Sequence, residues 1–314
     1  MADRALERGE KADYKPLPLA RTLPVRQDYH GLPLLKPPVW THEVSLYFFL
    51  GGVSTGAYML ARLADRFGGD EYRELTRQGT YLAAVSILPA APLLILDLGD
   101  PKRFHHMLRI WKPSSPMNLG SWLLTAYTPI TLWAAFRQAC MKKRARASDW
   151  LGIPLALGLA GYTGVLLSTT STPIWSKNAW LGAVFSASAV HSGASGIKFC
   201  LELTGVQAGR EVLTQVEHLS GIVEAGCIVG YLQEAGEKAG PLLTGEHSAL
   251  FLGGGLGAGL LAPLVAEILP APRKIKPALK LLGTVAALAG ALALRWAITG
   301  AGKTSAKDSR SAVR

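Results

Sequence analysis

Blocks of about 20 apolar residues, separated by short charged or proline-containing connections, recur along this 314-residue chain. At 1.5 Å of rise per residue, such a block reaches across a hydrocarbon layer about 30 Å thick. Helices buried in a water-soluble core have no reason to cluster at that length. In lipid the backbone must satisfy its own hydrogen bonds, so a protein of this kind can fold only as a bundle of spanning helices or as a closed barrel. The blocks are too long for barrel strands. Composition agrees, since 49% of residues are hydrophobic and 18% charged, which is too apolar for a disordered chain.

Eight such segments are read at 41–63, 79–98, 119–136, 150–168, 179–200, 219–232, 248–269 and 277–298. The predicted fold is an all-α integral membrane protein with eight transmembrane helices in two four-helix bundles. An N-terminal extramembrane arm (1–40) precedes this domain (41–300), and a short tail (301–314) follows it. The sixth segment is short and contains Glu224, making it the least distinct of the eight. Glycines at 52–56, 226–230 and 253–259 predict close helix contact. Pro89, Pro92, Pro129, Pro154 and Pro263 predict bends where a backbone bond is lost.

The 33 Lys and Arg residues outnumber the 22 Asp and Glu, for a net charge of +11. In a soluble protein this would suggest nucleic acid. Here the basic residues crowd the ends of apolar segments, where they fix topology and meet anionic lipid headgroups, so no nucleic-acid partner is expected. The first, third, fifth and seventh connections with their flanks carry 15 Lys and Arg, including KKRAR at 142–146 and RKIK at 273–276, against six in the other three. The positive-inside rule then puts the richer side in the cytoplasm and both termini outside, or in the periplasm, of a bacterial or archaeal cytoplasmic membrane. Seven basic residues in the arm oppose this, but a long arm weighs less than short loops. The arm lacks the apolar core of a signal peptide and is expected to stay attached, either clasping a partner or as a flexible tail.

Cys140, Cys200 and Cys227 form no CxxC, which argues against an iron–sulfur motif, covalent haem attachment or a disulfide framework, and each is expected to fill apolar space. His42, His191, His218 and His247 do not recur in a pattern that would pair them on a haem. No metal site is expected.

Polar residues are densest in LDLGDPKRFHHMLRIWKPSSPMNLGSW, the connection after the second segment. A plain helical turn needs only a few residues, so this stretch suggests a folded lid or docking surface. Asp97 follows LLIL at the membrane edge, where a carboxylate must be paired, protonated or functional, with Arg103 as a natural partner. In WTHEVSLYFFLGG, Glu43 and Tyr47 stand four residues apart on one helical face beside His42, and could address one small cavity. The bland alternative makes Trp40 and Tyr47 interfacial anchors. Tyr162 and His191 lie among small residues that leave room for a flat ligand. Glu202, Glu217, His218, Glu224 and Glu267 complete the ionisable residues at or within segments. Such residues often mark proton paths, and His191, Glu202, Glu224 and Glu267 are the relay candidates.

The stretches WTHEVSLYFFLGGVSTGAY, LDLGDPKRFHHMLRIWKPSSPMNLGSW and GYTGVLLSTTSTPIW resemble the NrfD family, which includes the membrane subunit of polysulfide reductase. The likeness covers nearly all of residues 40–300. It implies an eight-helix subunit without haem or iron–sulfur cluster, binding menaquinone or ubiquinone near the face that carries a ferredoxin-like four-cluster iron–sulfur subunit. Beyond that subunit it implies a molybdenum or tungsten bis-molybdopterin catalytic subunit. The family's quinone pocket lies among the first helices and the connection after the second. Carried onto this sequence, it points to Glu43, Asp97 and Tyr162 as reacting groups and to His42, Tyr47, Arg103 and Tyr162 as quinone contacts. Where the polysulfide reductase subunit has an Asn and a His in the first helix, this sequence reads HEVSLY.

The expected function is exchange of electrons between a quinone pool and a partner's iron–sulfur cluster, with proton translocation left open. The protein would be the quinone-reactive subunit of a larger oxidoreductase rather than a complete enzyme. Two alternatives stay open: a proton-coupled secondary transporter, and a non-catalytic membrane anchor.

Overall fold

The computed structural model describes residues 35–98, 100–141 and 147–307. Most of the expected arm, the KKRAR run and the residues after 307 lie outside them. In chain order the α-helices are α1 (His42–Phe67), α2 (Arg73–Ile87), α3 (Ala90–Leu96), α4 (His106–Arg109), α5 (Pro116–Phe136), α6 (Ala147–Ser168), α7 (Trp180–Leu203), α8 (Arg210–Ala235), α9 (Gly240–Leu243), α10 (Ala262–Ile268) and α11 (Lys276–Lys307). A π-helical stretch, Ala249–Leu261, leads directly into α10. The described residues contain no β-strand.

Six helical segments are long and apolar enough to cross a membrane: His42–Phe67, Asp70–Leu96, Leu151–Ser168, Arg210–Leu243, Ala249–Ile268 and Lys276–Lys307. The protein is therefore a multi-pass membrane protein. Of the eight segments expected from the sequence, the third and fifth are the two that fall short. They form helices α5 and α7, of 21 and 24 residues, but Tyr, Trp, Thr and Pro dilute one and Ser, His and Lys the other. For α7 the physical reason is its position. It packs against α1, α2, α6, α8 and α11, so protein rather than lipid surrounds it.

Several boundaries differ from expectation. The second segment breaks at Leu88 and Pro89 into α2 and α3, because Pro89 and Pro92 each lack the N–H that a continuous α-helix would use there. The sixth segment, expected to be short, is part of the 26-residue α8. The seventh is largely π-helical, and α11 continues to Lys307, past the expected end at Ile298. Cys227 is buried as expected of an apolar filler, whereas Cys140 is exposed and fills nothing.

Helices α1, α2, α5 and α6 meet in one closed ring, and α7, α8, α11 and the π-helical stretch with α10 form a second, looser one in which α8 touches the π-helical stretch only lightly. The rings join where α1 crosses α7. There Gly56 and Gly193 lie backbone to backbone, and a Cβ on Gly193 would fall 2.5 Å from the Ala57 nitrogen. Close approach of this kind replaces the hydrophobic drive that is missing between helices in lipid. Inside the first ring, Ser54 Oγ donates to the Ala83 carbonyl at 2.8 Å, and the Tyr127 hydroxyl donates to the Ser54 carbonyl at 3.1 Å.

Candidate functional site

Two polar regions stand out, one where α1 begins and one through the interior of the second ring. At the first, Asp97 Oδ1 accepts from the Thr41 backbone N–H at 3.1 Å and from Thr41 Oγ1 at 2.8 Å. Thr41 Oγ1 also contacts Glu43 Oε2. One hydroxyl hydrogen thus faces two carboxyl groups and can serve only one of them at a time. His42 Nε2 lies 3.3 Å from Glu43 Oε1. The expected pairing of Asp97 with Arg103 does not form: Arg103 Nε reaches Asp100 Oδ2 at 3.0 Å on the exposed connection, three residues away on the same turn.

Tyr47 is buried, at 2% exposure, against Phe48, so it is no interfacial anchor. Tyr162 is also buried, its ring lying over Gly120 of α5, where any side chain would collide with it. A cavity of about 320 Å³ opens on another side of α1, lined by Trp40, Thr41, His42, Ser45, Trp296 and Lys303 among others. Glu43 and Tyr47 were expected to address one cavity together, yet neither lines this one. Its wall is aromatic, since Trp40 stacks on Trp175 at 5.6 Å and His42 on Trp296 at 6.3 Å.

The connection after α3 is held by Asn118, a residue that nothing in the sequence pattern singles out. Its side chain donates to the Met107 carbonyl at 2.6 Å and the Ile110 carbonyl at 2.9 Å, and accepts from the Lys112 N–H at 2.8 Å. Three bonds from one amide at the start of α5 fold the stretch back on itself.

The second region is a buried seam. Positions 188, 191, 195, 198 and 202 recur at helical spacing and form one stripe along α7. Ser188 accepts from Arg295 Nη1 at 3.0 Å, and Arg295 also donates to the Phe48 carbonyl at 3.1 Å. His191 Nδ1 lies 2.8 Å from Glu224 Oε2, both side chains almost fully buried. One turn on, Ser195 Oγ donates to Glu217 Oε1 at 2.6 Å, and Lys198 pairs with Glu217 Oε2. Glu202 follows, partly buried, with one oxygen unpartnered among the described residues. Lys280 pairs with Glu267 at 2.6 Å at the same end. The carboxylates and His191 were among the expected functional residues, whereas Lys198 and Arg295 were not. The stripe on α7 was the available signal for Lys198.

No group of three or more His, Cys, Asp or Glu side chains suited to a metal ion occurs among the described residues.

Residues 33–306 match the family described as Polysulphide reductase, NrfD. The protein is 30% identical to a component of the polysulfide reductase of Wolinella succinogenes, over 85% of its own length and 95% of the relative's. It is 26% identical to the NrfD homolog of Haemophilus influenzae, covering 84% and 94% of the two proteins. A more distant likeness, 22% identity over 53% of this sequence and 48% of the other, links it to a component of the selenate reductase of Mesobacillus selenatarsenatis. The protein belongs to the polysulphide reductase NrfD family, membrane subunits of quinone-linked respiratory complexes.

Proposed function

We propose that this protein is the quinone-reactive subunit of its complex, exchanging two electrons between menaquinone or ubiquinone and the nearest cluster of a ferredoxin-like four-cluster iron–sulfur subunit. A molybdenum or tungsten bis-molybdopterin subunit would carry the remote half-reaction. With α5 and α7 counted beside the six apolar segments, the domain crosses the membrane eight times, with both termini outside.

The observation that carries the reading is the cluster at the start of α1, where Thr41 joins the Asp97 and Glu43 carboxyl groups, with the buried phenol of Tyr47 one turn further along the same helix. Oxidation of a quinol releases two protons with two electrons. Tyr47 or Tyr162 would hydrogen-bond a quinone oxygen, while Glu43 or Asp97 would accept a proton. His42 and the aromatic cavity beside it offer a flat ring a place to enter. Arg103, paired with Asp100 on the exposed connection, is suited to the docking face. A proton relay would use His191, Glu224, Glu202 and Glu267, and the buried pairing of His191 with Glu224 at 2.8 Å supports its first step.

The test is quinol oxidation by the purified complex. Asp97→Asn should lower turnover about 100-fold, as for loss of a general base, and Tyr162→Phe about tenfold, as for loss of one hydrogen bond. Full turnover in both variants, with the partner subunits still attached, would leave the protein a mere anchor.

A further inference from the structure

A second cavity, of about 960 Å³, lies between the start of α8 and the α10–α11 connection. Because successive spans alternate in direction, this is the opposite end of the bundle from Asp97. Its floor is the end of α7. Helix α8 packs along α7 and only lightly on the π-helical stretch, so the cleft between α8 and α11 stays open at the membrane boundary.

The charges in this cleft are unevenly satisfied. Lys198 and Lys280 are taken up by Glu217 and Glu267. Arg210 donates to the Leu201 carbonyl at 2.8 Å, and Lys276 to the Glu267 and Leu269 carbonyls at 2.7 and 2.8 Å. Those acceptors are neutral, so both cations keep their charge, and Arg273 adds a third on the same wall. Glu202 and Glu211 also line the cleft and offset part of this, leaving it cationic overall. The sequence neighbours of the lining residues are exposed and apolar: Leu203, Ile268, Ile275 and Leu282. A soluble anion gains nothing from such a rim, whereas acyl chains do.

We propose that this cleft binds the phosphate headgroup of an anionic phospholipid, with Arg210, Arg273 and Lys276 facing the phosphate and the acyl chains running along the apolar rim. Basic recesses between membrane helices bind such headgroups on the cytoplasmic side, the side to which charge bias assigns this end.

The intact complex, stripped of lipid, is titrated with cardiolipin, phosphatidylglycerol or phosphatidylcholine and read by native mass spectrometry, with inorganic pyrophosphate as a separate arm. Cardiolipin and phosphatidylglycerol should be retained over phosphatidylcholine. Arg273→Gln, which breaks no hydrogen bond among the described residues, should weaken their retention about fivefold, the effect of one basic residue near a membrane surface. Lys274→Gln, exposed beside it but outside the cleft, should leave retention unchanged. Equal losses in the two variants would mean diffuse surface attraction and overturn the site. Equal retention of phosphatidylcholine would overturn it as well, and pyrophosphate displacing the lipids no better than sulfate is the expected outcome of that arm. Tight pyrophosphate binding without lipid would make the ligand a soluble phosphate and refute the lipid assignment.

Discussion

Replacing Lys198 by Met should destabilise the protein by about 3–5 kcal/mol, the usual cost of leaving one member of a buried ion pair without its partner. The pair qualifies because the side chains of Lys198 and Glu217 are only 6% and 1% exposed. Glu217→Met should cost a similar amount, since it strands the ammonium. The double variant should recover most of the loss, because two apolar side chains of like volume replace a pair whose desolvation offsets its attraction. Ser195 would not be orphaned, since its hydroxyl also reaches the His191 carbonyl at 3.0 Å. Thermal unfolding of the complex in nanodiscs reads the cycle, with each single variant lowering the midpoint by about 6–15 °C, taking roughly 2–3 °C per kcal/mol for a protein of this size. Additive losses in the double variant would refute the coupling.

Other consequences follow from single contacts. Gly120→Val should displace the Tyr162 ring and reproduce the turnover loss of Tyr162→Phe, measured as quinol oxidation. Gly193→Val should force α1 from α7 and destabilise by about 1–3 kcal/mol or more, seen as a lower unfolding midpoint. Glu224→Gln keeps a hydrogen-bonding partner for His191 but removes a titrating group, so proton uptake by sealed vesicles should fall while the unfolding midpoint holds.

Hydropathy reveals a helix by the face it shows to lipid. All eight segments were legible from the sequence, α7 among them as 179–200, but its Ser, His and Lys residues lower its hydropathy because its neighbours replace lipid on nearly every side. The carboxylates were visible as ionisable residues in apolar surroundings, but their partners were not. Asp97 meets Thr41 across 56 residues, and no local spacing encodes that contact. Arg103 looked the better partner because it was near in sequence. Arg295 was hidden for a related reason: near the end of an apolar segment a basic residue normally reaches for the interface, yet this one turns inward to Phe48 and Ser188.

The interior seam raises the question of why a membrane bundle keeps groups that apolar residues would replace at little cost. Packing alone does not require them. A relay does, and it also requires a link between the His191–Glu224 and Lys198–Glu217 pairs. In the proposed relay Ser195 would be that link: its hydroxyl donates to Glu217 Oε1 at 2.6 Å and has oxygen lone pairs to accept a proton from the His191–Glu224 side, whereas the His191 backbone carbonyl it also reaches can accept a hydrogen bond but hands no proton on. Ser195→Ala should therefore stop transfer along the seam while costing little stability, about 1 kcal/mol for one hydrogen bond. Ser195→Thr, which retains the hydroxyl, should restore it. Proton uptake in sealed vesicles, measured beside quinol turnover, separates the outcomes: unchanged uptake in Ser195→Ala would mean that the seam holds the helices together and carries no protons.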